Sequence, residues 1–500
     1  MLGTVPTSIP QFILLGNWLL EGDFKTKLTR IKNSKLYFVL ISIFIIHALG
    51  LIYTNNLLDG WNDVRTKLPL FLLPTIYLSS EKLTIKEIHM VLISFLAGTF
   101  LNISWCLFHN AFIFQKDDTR ELSRFMSHIR LGFLINIAIF ISAYFIYYFK
   151  KYFFRLLFVF LICYFVFGLI KLGLFTGLIN LGVVGILSLL VVIYYINRKA
   201  FYSSVITLII LISYLYITTY GFYNSLFAER TTEVNVPQSV TANGNAYNNY
   251  RFNQQIENGI IVARNIQSEE LIRNWNAKKP DYIINLEKEQ NRPLYFILLR
   301  YMSSKGLMKD STDFSKLNNE ELNEVANNVT NYLYKEWNPI QKRLYELFYE
   351  YNEYKNGGII NGHSFTMRFY YIKAAICAIK QNPIFGCGTG DVQNVMNTCY
   401  EQSESPLNQD WRKRPHNQFV TIFVALGLIG LLIFIAFITY PLIRLKSFLH
   451  ILYWPFLLSA IISFTFEDTL ETQTGLSFFA FFNVLFLTQA EFKRKETLRG

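Results

Sequence analysis

Apolar runs alternate with short polar loops at both ends of the chain, and a long polar stretch, residues 222–415, separates the two apolar blocks. An α-helix needs about 20 apolar residues to cross a bilayer. Runs of about that length occur at 37–55, 88–108, 129–149, 152–170, 174–196, 200–220, 417–440, 449–466 and 474–490, and a shorter run that contains Pro69 and Pro74 occurs at 66–80. Residues 8–20 are apolar but too short to span securely. The pattern predicts an all-α, polytopic integral membrane helix bundle of about 10–12 spans.

The chain is predicted to have four parts: N-terminal transmembrane helices at 1–221, a loop domain at 222–415, C-terminal transmembrane helices at 416–490 and a tail at 491–500. Inside the loop domain, apolar residues recur at helical spacing in 266–275, 292–303, 318–355 and 364–380. Pro339 predicts a helix start or a kink. These helices are too polar to span a membrane, so the domain is expected to cap the bundle.

The charge distribution predicts the orientation of the chain. Cytoplasmic loops of membrane proteins are rich in Lys and Arg, and such residues cluster in alternate loops, as in 21–36, 150–155, 198–199 and the tail. The loop domain is then extracytoplasmic, and it holds 22 basic and 21 acidic residues. The formal net charge of +12 therefore reflects topology, and the expected partner is the lipid bilayer and not nucleic acid.

Five cysteines are present. Cys106 and Cys163 lie in apolar spans, where they fill space. Three others, Cys377, Cys387 and Cys399, fall in the predicted extracytoplasmic part, where a disulfide persists. A Cys387–Cys399 bridge is one candidate pairing. No Cys or His spacing indicates zinc, so no structural metal is expected.

The run Arg412-Lys413-Arg414-Pro415-His416-Asn417 closes the loop domain where the next span begins. An ionisable side chain at a membrane boundary is costly, and it usually marks a place where charged substrate is handled. His416 titrates near neutral pH and is a candidate general base or orienting donor. The alternative is a solvated residue at the start of a helix.

Arg368 lies on the predicted helix 364–380. Its guanidinium fork matches phosphate oxygens better than a lysine does; the alternative is a solvated helix face. The turn Gly386-Cys387-Gly388-Thr389-Gly390 lacks the Lys-Ser/Thr of a nucleotide-binding loop. Its glycines are expected to let the chain turn back to the membrane, although free N–H groups there could also contact a phosphate.

Further ionisable residues lie at the predicted outer ends of spans. Taken singly, the cations are anchors that reach the headgroups. On one face, however, they would form with Arg368 and Arg414 a positively charged pocket that binds an anion. The acidic residues could pair with them or act as acid or base. The cations are Arg65, Lys67, Arg124, His128 and Arg130, and the acids are Glu467, Asp468 and Glu471.

These residues resemble a known family. Arg368 with the runs Asn382-Pro383-Ile384-Phe385-Gly386-Cys387-Gly388-Thr389-Gly390, Pro415-His416-Asn417-Gln418-Phe419 and Gly427-Leu428-Ile429-Gly430 is similar to the O-antigen ligase superfamily. That group also includes polysaccharide polymerases and oligosaccharyltransferases that act on proteins. Residues 470–479 resemble the closing motif of Bacteroidota-type members, and Asn17-Trp18-Leu19-Leu20-Glu21-Gly22 fits the same subgroup.

The resemblance implies a GT-C-like, inverting glycosyltransferase in the bacterial inner membrane, with its large loop in the periplasm. The donor would be a glycan on undecaprenyl diphosphate and the acceptor lipid A core, with no cofactor and no metal. His416 corresponds to the catalytic histidine and Arg368 to an arginine that serves the diphosphate. Members often carry Ser-Arg in a middle span, where this chain has Asn180 and no arginine; Arg412 and Arg414 are candidates for the missing contact.

The sequence leaves several alternatives open. The acceptor could instead be another lipid-linked repeat, which would make the protein a polymerase, or a protein side chain. A transporter of lipid-linked sugars is a different class, but it should place ionisable residues near the bilayer midplane. Such residues are scarce here, and the polar mass lies on one face, which favours an enzyme. A membrane scaffold would not need the Arg-His cluster.

Overall fold

The computed structural model describes residues 4–114, 126–250, 255–288, 292–358, 360–445 and 450–497. Within these residues the chain is predominantly helical and has almost no strand, which confirms the all-α prediction. The helices are α1 (Thr4–Leu20), α2 (Phe24–Lys32), α3 (Lys35–Leu49), α4 (Leu57–Lys67), α5 (Pro69–Ser79), α6 (Ile85–His109), α7 (His128–Tyr148), α8 (Tyr152–Lys171), α9 (Phe175–Ile196), α10 (Arg198–Phe227), α11 (Ser268–Lys278), α12 (Arg292–Ser304), α13 (Ser311–Phe314), α14 (Asn319–Ala326), α15 (Pro339–Lys355), α16 (Met367–Gln381), α17 (Val392–Gln402), α18 (Gln418–Leu445), α19 (Tyr453–Phe466) and α20 (Gln473–Thr497). Two short strands, β1 (Ile256–Glu257) and β2 (Ile260–Ile261), pair antiparallel.

Among the described residues, seven helical segments are long and apolar enough to cross a membrane: Lys35–Tyr53, Ile85–Phe112, α7, α8, α9, α10 and Gln418–Ile443. Their burial differs sharply: 72% of the most apolar part of α7 is buried, whereas none of the corresponding part of α10 is. Helix α7 is therefore central and α10 presents an apolar surface along its length. The polytopic bundle is confirmed, while the larger count of 10–12 spans stays a prediction.

The chain divides into two units, one formed by Met1–Arg198 with Met367–Gly500 and the other by Lys199–Thr366. In the first unit, α7 packs against α6, α8, α9 and α19. A close approach of α7 and α9 depends on small residues, because a Cβ added to Gly132 would lie 3.0 Å from the Gly177 Cα. Asn136 on α7 donates to the Gly177 carbonyl at 2.9 Å. Asn180 ties α9 to α19 by donating to the Ser459 carbonyl at 3.0 Å.

Helix α18 is broken at Gly427, whose φ of 63° is left-handed and favours glycine. The Gly-rich turn packs against this break: the Cys387 and Gly388 N–H groups donate to the Val424 and Ala425 carbonyls, both at 2.9 Å. The Gly390 N–H donates to Thr54 Oγ1 at 2.9 Å. These amides are used in packing, so the turn joins helices and its N–H groups are not available to a phosphate.

The disulfide pairing differs from the one considered above. Cys377 on α16 is bonded to Cys399 on α17, with a Cα–Cα distance of 5.8 Å, and Cys387 is a free thiol. The Cys387–Cys399 pairing is therefore wrong. Three cysteines in one segment allow three pairings, and only the packing of α16 against α17 selects between them.

The second unit has its own core. Leu271, Trp275, Leu298, Met302 and Leu322 are fully buried at its centre, contributed by α11, α12 and α14. The helices predicted at 266–275, 292–303 and 318–355 are confirmed as α11, α12 and the pair α14 and α15. Pro339 starts α15, as expected, and the Asn338 side chain caps it. An aromatic cluster with Phe227 and Trp337 surrounds the end of α10.

A buried ion pair links β1 to α12 in the second unit. Arg300 Nε donates to Glu257 Oε1 at 2.6 Å, and the Glu257 side chain is fully buried. The Tyr345 hydroxyl donates to the other carboxylate oxygen at 2.7 Å. Removing one partner of such a pair leaves a buried charge without compensation.

We expect Glu257→Ala to lower the free energy of local unfolding of the second unit by about 3–5 kcal/mol. Native-state proteolysis of the purified protein measures this quantity. The matched control is Glu229→Ala, because Glu229 pairs with Arg264 at 3.0 Å but is 47% exposed. Such exposed pairs contribute about 0–1 kcal/mol. Equal losses in the two variants would contradict the prediction.

Candidate active site

His416 lies in the first unit at a sharp corner, two residues before α18 begins. Its φ of 51° is left-handed, a conformation that His, Asn and Asp adopt more readily than most side chains. The corner is held by Asp468, whose Oδ2 accepts the His416 N–H at 3.1 Å. Asp468 Oδ1 accepts the Thr421 hydroxyl at 2.7 Å. The imidazole lies against the Tyr371 ring, with centroids 5.4 Å apart, so both backbone and ring of His416 are positioned.

The two residues that follow His416 are tied to the loop between α19 and α20. Asn417 caps α18 through the Val420 N–H at 3.1 Å and donates to the Thr465 carbonyl at 3.2 Å. The Gln418 amide donates to Glu471 Oε1 at 2.9 Å and accepts the Leu470 N–H at 2.7 Å. The run His416-Asn417-Gln418 therefore joins the start of α18 to this loop.

The protonation states at the corner follow from burial. Desolvation, followed by the Arg368 charge, lowers the pKa of His416 below its ordinary value, so the imidazole is neutral near pH 7 and can accept a proton. Burial raises the pKa of Asp468 to about 6, although the Thr421 hydroxyl and the His416 N–H both favour its carboxylate form. Above that pH the carboxylate holds the His416 backbone.

Two arginines act on the His416 imidazole. Arg368, in the first turn of α16, donates from Nη2 to the Phe466 carbonyl at 3.3 Å. Arg130, in the first turn of α7, donates to Glu467 Oε1 at 2.7 Å, and Ser127 donates to the same oxygen at 3.0 Å. The charges of both arginines lower the pKa of His416 and that of Glu467 raises it. Four of the predicted site residues are thus electrostatic neighbours.

Glu471 joins two other predicted cations. Lys67 and Arg414 contact its Oε2 at 2.7 Å and 3.1 Å. Asp63 lies 3.2 Å from Arg414 and 3.9 Å from Lys67. Burial opposes ionisation of Glu471, but the charges of Lys67 and Arg414 outweigh it and lower its pKa well below the ordinary range. Two cations and two carboxylates compensate each other here, so this cluster joins α4 to the loops before α18 and α20.

The remaining predicted site residues are not brought to this corner by any contact described here. Arg412 pairs with Glu401 at 3.5 Å and donates to the Leu407 carbonyl at 3.1 Å. Arg65 is exposed on α4, and His128 is the first residue of α7. Arg124 lies outside the described residues.

Sequence reasoning did not predict how His416 is held in place. Tyr371 and Thr421 carry no distinctive signal in the sequence. Asp468 was among the predicted acids, but its contact with the His416 backbone was not predicted. Asp63, which pairs with Arg414, was missed, although it is an acidic residue close to the predicted span 66–80. Among the described residues, no group of three or more His, Cys, Asp or Glu side chains could hold a metal ion.

The fold and the site define a multi-pass membrane protein with an ionisable cluster at one end of its helices. Residues 325–435 match the family model described as O-Antigen ligase, and this match supports membership of the chain in the O-antigen ligase superfamily. No curated protein matches the chain. The matched segment includes Arg368, the Gly-rich turn and His416, so the resemblance is confirmed over this part of the chain, and the match supports a membrane enzyme of the O-antigen ligase or polymerase type.

Proposed function

We propose that this protein transfers a glycan from an undecaprenyl-diphosphate carrier to lipid A core at the periplasmic face of the inner membrane. The observation that carries the proposal is the His416 corner, where a neutral, positioned imidazole lies within the electrostatic reach of Arg368 and Arg130. The corner lies at the start of α18, a helix long enough to span the membrane. A lipid-linked donor has to present its diphosphate at such a boundary.

The chemistry is an inverting displacement at the anomeric carbon. The acceptor hydroxyl attacks that carbon, a new glycosidic bond forms, and the bond to the diphosphate oxygen breaks with its electron pair leaving on the diphosphate. His416 takes the hydroxyl proton as general base. The hydrogen bond between Asp468 and His416 involves the His416 backbone N–H, so we assign Asp468 as a positioning residue.

The leaving diphosphate gains negative charge in the transition state, and positioned cations stabilise that charge. Arg368 is our choice for this role, because its guanidinium can form two parallel hydrogen bonds with phosphate oxygens. Arg130 adds positive electrostatic potential at the same corner, although its salt bridge with Glu467 offsets part of this potential. Lys67 and Arg414 are compensated by Glu471 and Asp63; they stabilise the scaffold and would not be the primary ligands of the diphosphate.

A polymerase or a protein O-oligosaccharyltransferase would use the same donor site with another acceptor. The surface-polysaccharide profile of a deletion strain separates these functions. Loss of long glycan from lipid A core with accumulation of lipid-linked polymer indicates a ligase, and a single repeat left on core indicates a polymerase. Loss of one glycoprotein indicates a protein acceptor. An unchanged profile would contradict the proposal.

Transfer is expected to fail in acid, because Asp468 and His416 both have to be deprotonated. With the pKa of Asp468 at about 6, kcat/KM should fall steeply below that pH. Asp468→Asn keeps an oxygen for the His416 N–H but cannot titrate. The acid limb of the kcat/KM profile of this variant should therefore be shallower and lie at lower pH. At pH 7.5 we expect this variant to lose roughly tenfold in kcat/KM, the worth of one charge-assisted hydrogen bond.

The measurement is the pH profile of kcat/KM for the purified wild type and for Asp468→Asn. A variant that loses activity with an unchanged acid limb would show that Asp468 has only a structural role at this corner.

A further inference from the structure

The second unit contains a cavity of about 250 Å³ at the end of α10. It is lined by α10, by the segment that follows it, by the turn between β1 and β2, and by the ends of α12 and the 3-10 helix Tyr332–Lys335. It is smaller than the pockets that enclose whole ligands, which run from about 300 to 1,000 Å³. The cavity could therefore hold a group of the size of one sugar ring.

The lining combines an aromatic face, hydroxyl groups and positive charge. Tyr332 and Phe222 supply apolar surface, and Tyr332 is 37% exposed. Arg230 and Lys305 are the cations, and no acidic residue lines the cavity among the described residues. Lys305 pairs with Glu321, so Arg230 supplies the larger share of uncompensated charge. This mixture fits a polar ring with an apolar face and an anionic substituent.

Arg230 is held in place before any ligand arrives. Its Nη2 donates to the Ser225 carbonyl at 3.1 Å, and its stem lies flat on Gly259. A Cβ at Gly259 would come within 2.3 Å of Arg230 Cγ, so a side chain there would displace the arginine. The φ of Gly259 is +86°, which also favours glycine. The lack of a side chain at Gly259 therefore leaves room for the Arg230 side chain.

One side chain that lines the cavity carries a polar atom with unused hydrogen-bonding capacity. Thr232 Oγ1 is buried and has no hydrogen-bond partner among the described residues. Buried polar atoms are nearly always paired, with protein, water or ligand. The neighbouring polar groups are already used: Asn258 donates to the Ser304 carbonyl at 2.9 Å, and Ser304 Oγ accepts the Tyr332 N–H at 3.1 Å. Rotation about χ1 would turn this hydroxyl toward the cavity that Thr232 lines, where a ligand hydroxyl would complete its hydrogen bonding.

We infer that this cavity is a subsite for one anionic sugar residue, a uronic acid or a phosphorylated hexose, of the glycan or of its acceptor. The inference rests on the proposed function, because it takes the substrates to be saccharides. Arg230 would pair with the carboxylate or phosphate, Tyr332 would cover the apolar face of the ring, and Thr232 would bind a ring hydroxyl. Helix α10 has 30 residues and is about 45 Å long. It exceeds the roughly 30 Å hydrocarbon core, so its end would lie at headgroup level, where glycolipid sugars are found.

Saturation-transfer difference NMR on the full-length protein in nanodiscs tests the inference. The probes are glucuronic acid, glucose 6-phosphate, glucose and glycerol 3-phosphate. We expect the two anionic hexoses to bind at least about tenfold more tightly than glucose, because a charge-assisted pair with arginine is the main contact. Arg230→Gln and Tyr332→Ala should each weaken this binding about tenfold. The controls Arg273→Gln and Tyr282→Ala remove exposed side chains of the same unit outside the cavity.

No binding by the wild type, or equal loss in cavity and control variants, would overturn the inference. If glycerol 3-phosphate binds as tightly as glucose 6-phosphate, the cavity recognises an anion and not a sugar, and the assignment fails. A parallel assay of glycan transfer separates the two proposals. Binding without any transfer by the wild type would refute the proposed function alone, and transfer without binding would refute the subsite alone.

Discussion

Replacing His416 with asparagine is expected to reduce glycan transfer by about 10²–10⁴-fold, the usual contribution of a general base. Asparagine tolerates the left-handed backbone that His416 adopts, with its φ of 51°. It also keeps the N–H that Asp468 accepts at 3.1 Å. The substitution therefore removes the proton acceptor and leaves the corner intact. Turnover of purified protein with a lipid-linked donor measures the loss in kcat.

The control for this variant is His363→Ala, which removes a histidine that belongs to the second unit. It should retain wild-type turnover, and the membrane levels of both variants should match that of the wild type. If His416→Asn keeps more than about a tenth of the activity, the imidazole is not the base. The solvated helix-start interpretation of His416 would then be the better one.

Replacing Arg368 with glutamine is expected to lower kcat by about 10²–10³-fold, the cost of removing one group that stabilises developing charge. Arg368→Lys keeps the charge but loses the planar fork, so it should recover only part of the activity. A second readout is specific to this site. Because the Arg368 charge lowers the pKa of His416, the acid limb governed by His416 should move to higher pH in Arg368→Gln.

Lys373→Gln is the matched control, because Lys373 is an exposed cation on the same helix, α16. It should change neither turnover nor the pH profile. Loss of activity in Arg368→Gln without a shift of the acid limb would mean that Arg368 does not act beside His416. Full activity in Arg368→Gln would remove it from the mechanism.

The helices were predictable because their signal is local. Apolar spacing placed α11, α12 and α16 within a few residues, and the Pro339 signal placed the start of α15. The apolar runs likewise indicated a polytopic bundle. The predicted run 66–80 and helix α5 end at the same place, where Ser80 is extended, but they differ at the start. Helix α4 continues to Lys67 and Pro69 begins a new helix, and hydropathy does not report such a break.

The contacts of the site were not predictable, because they join residues that are far apart in sequence. Lys67 and Glu471 are separated by 404 positions, and the Asp468 contact with the His416 backbone spans 52. The sequence suggested that Lys67 and Arg414 serve the diphosphate, whereas the structure surrounds them with carboxylates. The disulfide partner of Cys399 depended in the same way on how α16 and α17 pack.

Glycan transfer by the purified protein in nanodiscs tests most directly whether the protein is a glycosyltransferase. The donor is an undecaprenyl-diphosphate-linked glycan with a labelled sugar, and the acceptor is lipid A core. We expect undecaprenyl diphosphate to be released only when acceptor is present, the new bond to have the inverted anomeric configuration, and His416→Asn to abolish both. Movement of intact donor across the bilayer, with no transfer to lipid A core, to another lipid-linked repeat or to protein, would contradict this expectation and indicate a transporter.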